Sequence, residues 1–78
     1  MKRVRVFLRA ELFTEPGPDA HVPPGTSIIE GTVRSWEHGG LTCAVDGWFD
    51  ARGKALRHGP ALLMLPTGKI DHVLIVED

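Results

Sequence analysis

From Lys2 to Phe13 apolar and polar side chains alternate with a period of two. Val4, Val6, Leu8, Ala10 and Leu12 fall on one side, and Arg3, Arg5, Phe7, Arg9, Glu11 and Phe13 on the other. That period predicts a long strand with an aliphatic core side and a basic, aromatic outer side. The same period recurs from Ile28 to Asp46, broken at Glu37-His38-Gly39-Gly40, and predicts two strands folded onto each other. Ile29, Gly31 and Val33 line one side of the first arm, and Leu41, Cys43 and Val45 line one side of the second. Gly39 and Gly40 are read as the source of the positive φ that a tight hairpin turn needs. Trp36 is out of phase with Ile29, Gly31 and Val33, which sets it on the outer face.

The second arm is expected to continue through Gly47-Trp48-Phe49. Asp50-Ala51-Arg52-Gly53 then reads as a three-residue hairpin loop with Gly53 in the left-handed position. Lys54–Arg57 returns as a short strand, His58-Gly59-Pro60 turns, and Ala61–Leu65 is a continuous apolar strand. Pro66-Thr67-Gly68 is a further turn, and Ile70–Val76 is the last strand. Between Glu15 and Thr26, Pro16, Gly17, Pro18, Pro23, Pro24 and Gly25 exclude regular structure and predict a long loop. No segment carries helical spacing for more than a turn. The pattern predicts an all-β fold, a small barrel of five or six mostly antiparallel strands.

Length changes what this barrel needs. Seventy-eight residues predict one domain, 1–78, and so short a chain buries only about 60% of its unfolded surface. Disulfides, a metal or oligomerisation commonly support such folds. Cys43 is the only cysteine, which excludes an intramolecular disulfide and a cysteine framework for zinc. In Ala61–Leu65 and Ile70–Val76 both faces are apolar, and a barrel has one interior. The second face calls for a cover, and a further copy of the chain supplies it. The expected partner is the chain itself, as a homo-oligomer.

Charge narrows the partners. Nine Lys and Arg against ten Asp and Glu rank a general nucleic-acid coat below other readings, although Lys2, Arg3, Arg5 and Arg9 cluster, as do Arg52, Lys54, Arg57 and His58. No apolar run follows Met1-Lys2-Arg3, so neither a leader nor a membrane partner is expected, and the location is read as cytoplasmic. Cys43 is in phase with Leu41 and Val45 and reads as a buried hydrophobe. His21, His38, His58 and His72 show no metal-ligand spacing, and no nucleophile, phosphate-loop or dinucleotide motif occurs. No catalytic residue, metal or cofactor is assigned. Trp36, Trp48, Phe7 and Phe13 read as subunit contacts or, beside arginine, as a stacking surface for bases.

Two families are similar in short stretches. Arg5-Val-Phe-Leu-Arg9-Ala10 resembles the Arg-x-x-x-Arg opening of PilZ domains, small β-barrels that bind cyclic di-GMP. Gly31 to Leu41 resembles their Asp/Asn-x-Ser-x-x-Gly motif, with Ser35 at the Asp/Asn position and Glu37 at the Ser position. Leu56-Arg-His-Gly59 and Leu62-Leu-Met-Leu-Pro66 are similar to their later strands. The resemblance implies a regulatory receptor for an anionic nucleotide, with Arg5, Phe7, Arg9, Ser35, Trp36 and Gly40 as ligand-binding residues. On one strand Arg5 and Arg9 would stand about 13 Å apart at ~3.3 Å per residue. That suits two phosphates with a base on Phe7, or two acids across a subunit interface. Gly31–Glu37 with Val45-Asp46 also resembles the first motif of Sm-like barrels, and Val4–Leu8 their first strand. That likeness implies a nucleic-acid-binding barrel. An oligomeric enzyme with an intersubunit site is the third reading.

Overall fold

The computed structural model describes residues 2–14 and 21–77, and residues 15–20 of the expected loop lie outside them. Its strands are β1 (Arg3–Leu8), β2 (Ile28–Glu37), β3 (Gly40–Phe49), β4 (Ala55–Leu56), β5 (Ala61–Pro66) and β6 (Ile70–Glu77). They form one antiparallel sheet in the order β4-β3-β2-β1-β6, with β5 also paired to β3. The sheet curls into a half-barrel, an all-β fold with no α-helix among the described residues. β5, with the short β4, is outermost beside β3, and β6 is outermost beside β1; among the described residues neither β5 nor β6 pairs with a further strand.

The alternating positions build the core. Val4 and Val6 of β1, Ile29 of β2, Leu41, Cys43, Val45 and Trp48 of β3 and Leu65 of β5 are buried together on the concave side. Their cross-strand partners share that side, for example Val4 with Gly31 and Ile75, and Cys43 with Val33 and Leu63. Each buried aliphatic side chain contributes about 1.5–3 kcal/mol of transfer free energy.

Irregularities of register reset the alternation: two in the β1–β6 pair, at Asp71 and Val76 of β6, and two in the β2–β3 pair. In β2 the register passes from Val33↔Cys43 to Ser35↔Thr42, so Arg34 is the extra residue. In β3 it passes from Glu30↔Gly47 to Gly31↔Val45, so Asp46 is extra. A bulge moves every following side chain to the other face. Trp48 therefore turns inward opposite Ile29 and is buried, with its indole N–H donating to Gly59 O at 3.1 Å. It is a core residue and not the subunit contact that its sequence position suggests. Trp36 likewise falls opposite Leu41, on the core side past the end of the core, and stays 49% exposed. Its expected outer placement is corrected by the bulge at Arg34.

The turns divide in the same way. Gly53 has φ 85°, as the hairpin Asp50–Lys54 requires, and the Asp50 carboxylate accepts the backbone N–H groups of Arg52 and Lys54, each at 2.9 Å. Gly39 and Gly40, by contrast, do not have positive φ. The glycine at 40 answers a steric need, since a Cβ there would stand 2.3 Å from Leu65 O. Gly31 is tighter still, with 2.2 Å to Ala44 O.

The first strand stops at Leu8, well before Phe13. Arg9 and Ala10 bend away, and the following segment crosses one end of the barrel, with Leu12 N–H donating to Thr26 O at 3.0 Å. Ala10 is exposed rather than inward, while Leu12 and Val22 pack against the core. In place of the expected Pro66-Thr67-Gly68 turn, Pro66 ends β5 and Thr67–Lys69 forms a 3-10 helical turn. Thr67 N–H donates to Gly39 O at 3.3 Å and Arg9 N–H to Lys69 O at 2.9 Å. This turn thereby ties the hairpin tip to the end of β1.

Gly31→Ala is expected to cost about 3 kcal/mol, the upper range for overpacking against atoms that cannot yield. Gly39→Ala meets nothing within 4 Å and is expected to be neutral or up to ~1 kcal/mol stabilising. Urea denaturation of the two variants checks both, and equal effects would contradict the steric account.

Candidate functional site

The convex face of the sheet carries the chemistry that β1 presents. Arg3, Arg5 and Phe7 point there, and two acids meet the arginines. Arg3 grips Asp46 with both terminal nitrogens, each at 3.0 Å, in the forked geometry that suits a carboxylate. Its second nitrogen also reaches Glu30 at 3.4 Å. Arg5 donates to the other Glu30 oxygen through Nε at 3.0 Å and Nη2 at 2.9 Å. Two cations and two anions thus close into a neutral cluster across β1, β2 and β3. Its electrostatics follow from the contacts. The hydrogen bond from Arg3 holds the Asp46 carboxyl below the usual range, and Asp46 in turn drives the Arg3 pKa upward. Arg5 also lies 4.8 Å above the Phe49 ring, a cation–π contact.

Beyond the cluster the face becomes aromatic. Phe7 and His72 stack nearly parallel, with centroids 4.3 Å apart and 6° between planes, because β1 and β6 place them directly opposite. His72 Nδ1 lies 2.8 Å from Asp71 Oδ2. A hollow of about 420 Å³ here is lined by Phe7, Arg9, Ser27, Asp71 and His72, among others. Arg9 lies past the end of β1, and its Nε donates to Ile70 O at 3.1 Å. It therefore does not share a strand face with Arg5.

The six candidate ligand-binding residues fall into two groups. Arg5, Phe7 and Arg9 border the aromatic end of the convex face. Ser35, Trp36 and Gly40 belong to the β2–β3 hairpin, where Trp36 borders a separate hollow with Glu37, His38, Gly39 and Thr67. The hollow beside Phe7 contains none of the hairpin residues. Ser35 lies on the convex side opposite Thr42, whereas Trp36 lies on the concave side and Gly40 is buried under Leu65. Sequence position alone does not reveal the acids that meet Arg3 and Arg5. Glu30 is a cross-strand neighbour of Arg5, and Asp46 reaches Arg3 only through the bulge.

Large apolar side chains stay exposed along both open strands, with Leu62, Met64 and Leu74 on the convex side and Ile75 on the concave side. Leu62 and Met64 of β5 are 66% and 61% exposed, and Leu74, Ile75 and Val76 of β6 about half exposed. Cys43 is buried in the core, and desolvation raises its thiol pKa, which keeps it poorly nucleophilic. Among the described residues no group of three or more His, Cys, Asp or Glu could hold a metal ion, and no helix is long and apolar enough to cross a membrane. Comparison with protein-family models, curated proteins and solved structures returns no match.

Asp46 sets a pH dependence. Its folded pKa is depressed, so its contribution is present above the unfolded value and is lost as pH falls through the folded one, below about pH 4. The carboxylate is 55% exposed, which limits the contribution to under ~1 kcal/mol. Asp46→Asn is expected to be less stable at pH 7 and to converge with the parent protein near pH 2. Thermal melts across that range check it, and a difference independent of pH would contradict it.

Proposed function

We propose that this chain is a non-catalytic binding or regulatory module that works as a homo-oligomer, joined through β5 and β6. One observation carries this reading. The two long strands at the open sides of the sheet carry most of the large apolar side chains that stay exposed, Leu62, Met64, Leu74, Ile75 and Val76, beside Phe13 and Trp36 elsewhere. Among the described residues no further element lies over them, and exposed apolar patches of this kind mark an interaction surface. The clustered arginines of β1 offer no basic row to nucleic acid, because Arg3 and Arg5 are neutralised by Asp46 and Glu30.

Light scattering at micromolar concentration is expected to return a multiple of 8.5 kDa, and a mass near 8.5 kDa would overturn the reading. Leu62→Glu combined with Met64→Glu should raise the dissociation constant at least about 100-fold, since two buried aliphatic side chains are lost from the contact. Its circular dichroism should stay that of the parent protein.

A second reading, a PilZ-like receptor for an anionic nucleotide, is supported by the hollow at Phe7, Arg9 and His72. Its stacked rings offer a flat wall for a base, and the exposed Arg9 guanidinium stands at its edge. Arg5 is engaged by Glu30, so the cationic contact falls to Arg9. Titration calorimetry with cyclic di-GMP is expected to show binding at micromolar levels that Arg9→Ala abolishes while the oligomer persists. No heat from the parent protein at tens of micromolar would end this reading.

A further inference from the structure

Arg34 and Glu77 are opposite charges without an ion-pair or hydrogen-bond partner among the described residues, and they sit toward opposite sides of the sheet. Arg34 is the bulged residue of β2. It lines a hollow of about 420 Å³ together with Thr32, Ala44, Asp46, Ala61 and Leu62, at the start of β5, and the Asp46 carboxylate there is already held by Arg3. Glu77 ends β6 directly opposite Arg3, yet the Arg3 guanidinium is held by Asp46 and Glu30 and leaves Glu77 unmatched. Arg34 belongs to β2, with β1 between it and β6, and its hollow opens on the other side toward the start of β5, so the two charges form no ion pair within one chain.

We propose that β6 of a second copy adds to the free edge of β5 in antiparallel orientation, with Glu77 of that copy received by Arg34. The proposal rests on the oligomer reading above and specifies its geometry. Antiparallel addition is the direction that puts Glu77 beside Ala61 and runs the rest of β6 toward Pro66. It continues the antiparallel pattern of every pair in the sheet. Alternation then tests the fit. A register that sets Met64 opposite Leu74 of the second copy also sets Leu63 opposite its Ile75 and Leu65 opposite its Val73. Met64 and Leu74 both lie on the convex side, through Thr42 and Arg5, while the other four lie on the concave side, through Cys43, Leu41, Val4 and Val6. Both faces are therefore matched from Leu63 to Leu65, and the β6 bulge at Val76 returns Glu77 to the convex side with Arg3, the side of Leu62, which lines the Arg34 hollow. β5 carries no charge of its own to oppose the approach. Each copy contributes a different edge, so the contact is head-to-tail and repeats from copy to copy.

Exchange of the two charges tests this on the whole chain. Arg34→Glu and Glu77→Arg are surface substitutions, and each alone sets like charges together at every junction. Sedimentation is expected to show each single variant associating at least about tenfold more weakly than the parent, as for loss of a partly desolvated charge pair. An equimolar mixture of the two single variants should reassemble, because each junction between unlike copies again pairs opposite charges. The double variant should recover in the same way, to within a few-fold of the parent. Single variants that assemble like the parent, or a mixture no better than its components, would overturn the pairing. If the pairing fails while Leu62→Glu with Met64→Glu still dissociates the assembly, only this geometry falls. A parent protein that is monomeric removes the oligomer reading as well.

Discussion

β2 and β3 approach so closely at Gly31 that no side chain fits between them, and the rest of the barrel depends on that approach. The backbone oxygen of Ala44 occupies the space a Cβ would need. Gly40 repeats the device where β5 crosses β3. With both gaps closed, two ten-residue strands curl tightly enough for Ile29, Leu41, Val45 and Trp48 to share one interior with Val4 and Val6. A wider sheet would leave that interior open, and a chain this small has few other apolar groups to fill it.

The curl brings a cost in regularity, which the bulges at Arg34 and Asp46 absorb. Each adds a residue to one strand and sharpens the local twist. Each also re-aims a charge. Asp46 is turned onto Arg3, which closes the neutral cluster with Arg5 and Glu30. Arg34 is turned toward the start of β5 and shares its hollow with Asp46, whose carboxylate is already held by Arg3. Exposed pairs of this kind contribute little to stability individually. Their larger effect is to decide which cations remain available, and on the convex face those are Arg34 and Arg9 rather than the clustered arginines of β1.

The open sides of the sheet follow from the same economy. The 3-10 turn at Thr67–Lys69 anchors on Gly39 and Arg9 and so fixes one end of the barrel, yet β5 and β6 diverge from it without pairing. Their exposed apolar side chains are a hazard for a lone protomer, since unpaired apolar edges invite strand addition. The proposed head-to-tail assembly turns that hazard into a specific contact, with charge selecting the register.

The all-β class, the β2–β3 hairpin, the Asp50–Lys54 turn with Gly53, the burial of Cys43 and the apolar character of β5 and β6 are all legible along the chain. These are local properties: period-two alternation, turn chemistry and composition are written in consecutive residues. Of the candidate site, Phe7 and Arg5 were legible as outward residues of β1, and so was the excess of apolar surface on the last two strands. The tertiary structure decided the rest. Trp48 turns inward and Trp36 to the concave side because a bulge depends on the cross-strand register, and alternation along one strand does not record it. Gly40 is required by Leu65, twenty-five residues away in sequence, and the turn at Gly39 needs no positive φ. Arg5 is claimed by Glu30, and Arg3 by Asp46, because curling the sheet brings those side chains within hydrogen-bond reach. Partners of charged groups are long-range facts, set by which strands meet and in which register, and only the folded sheet contains them.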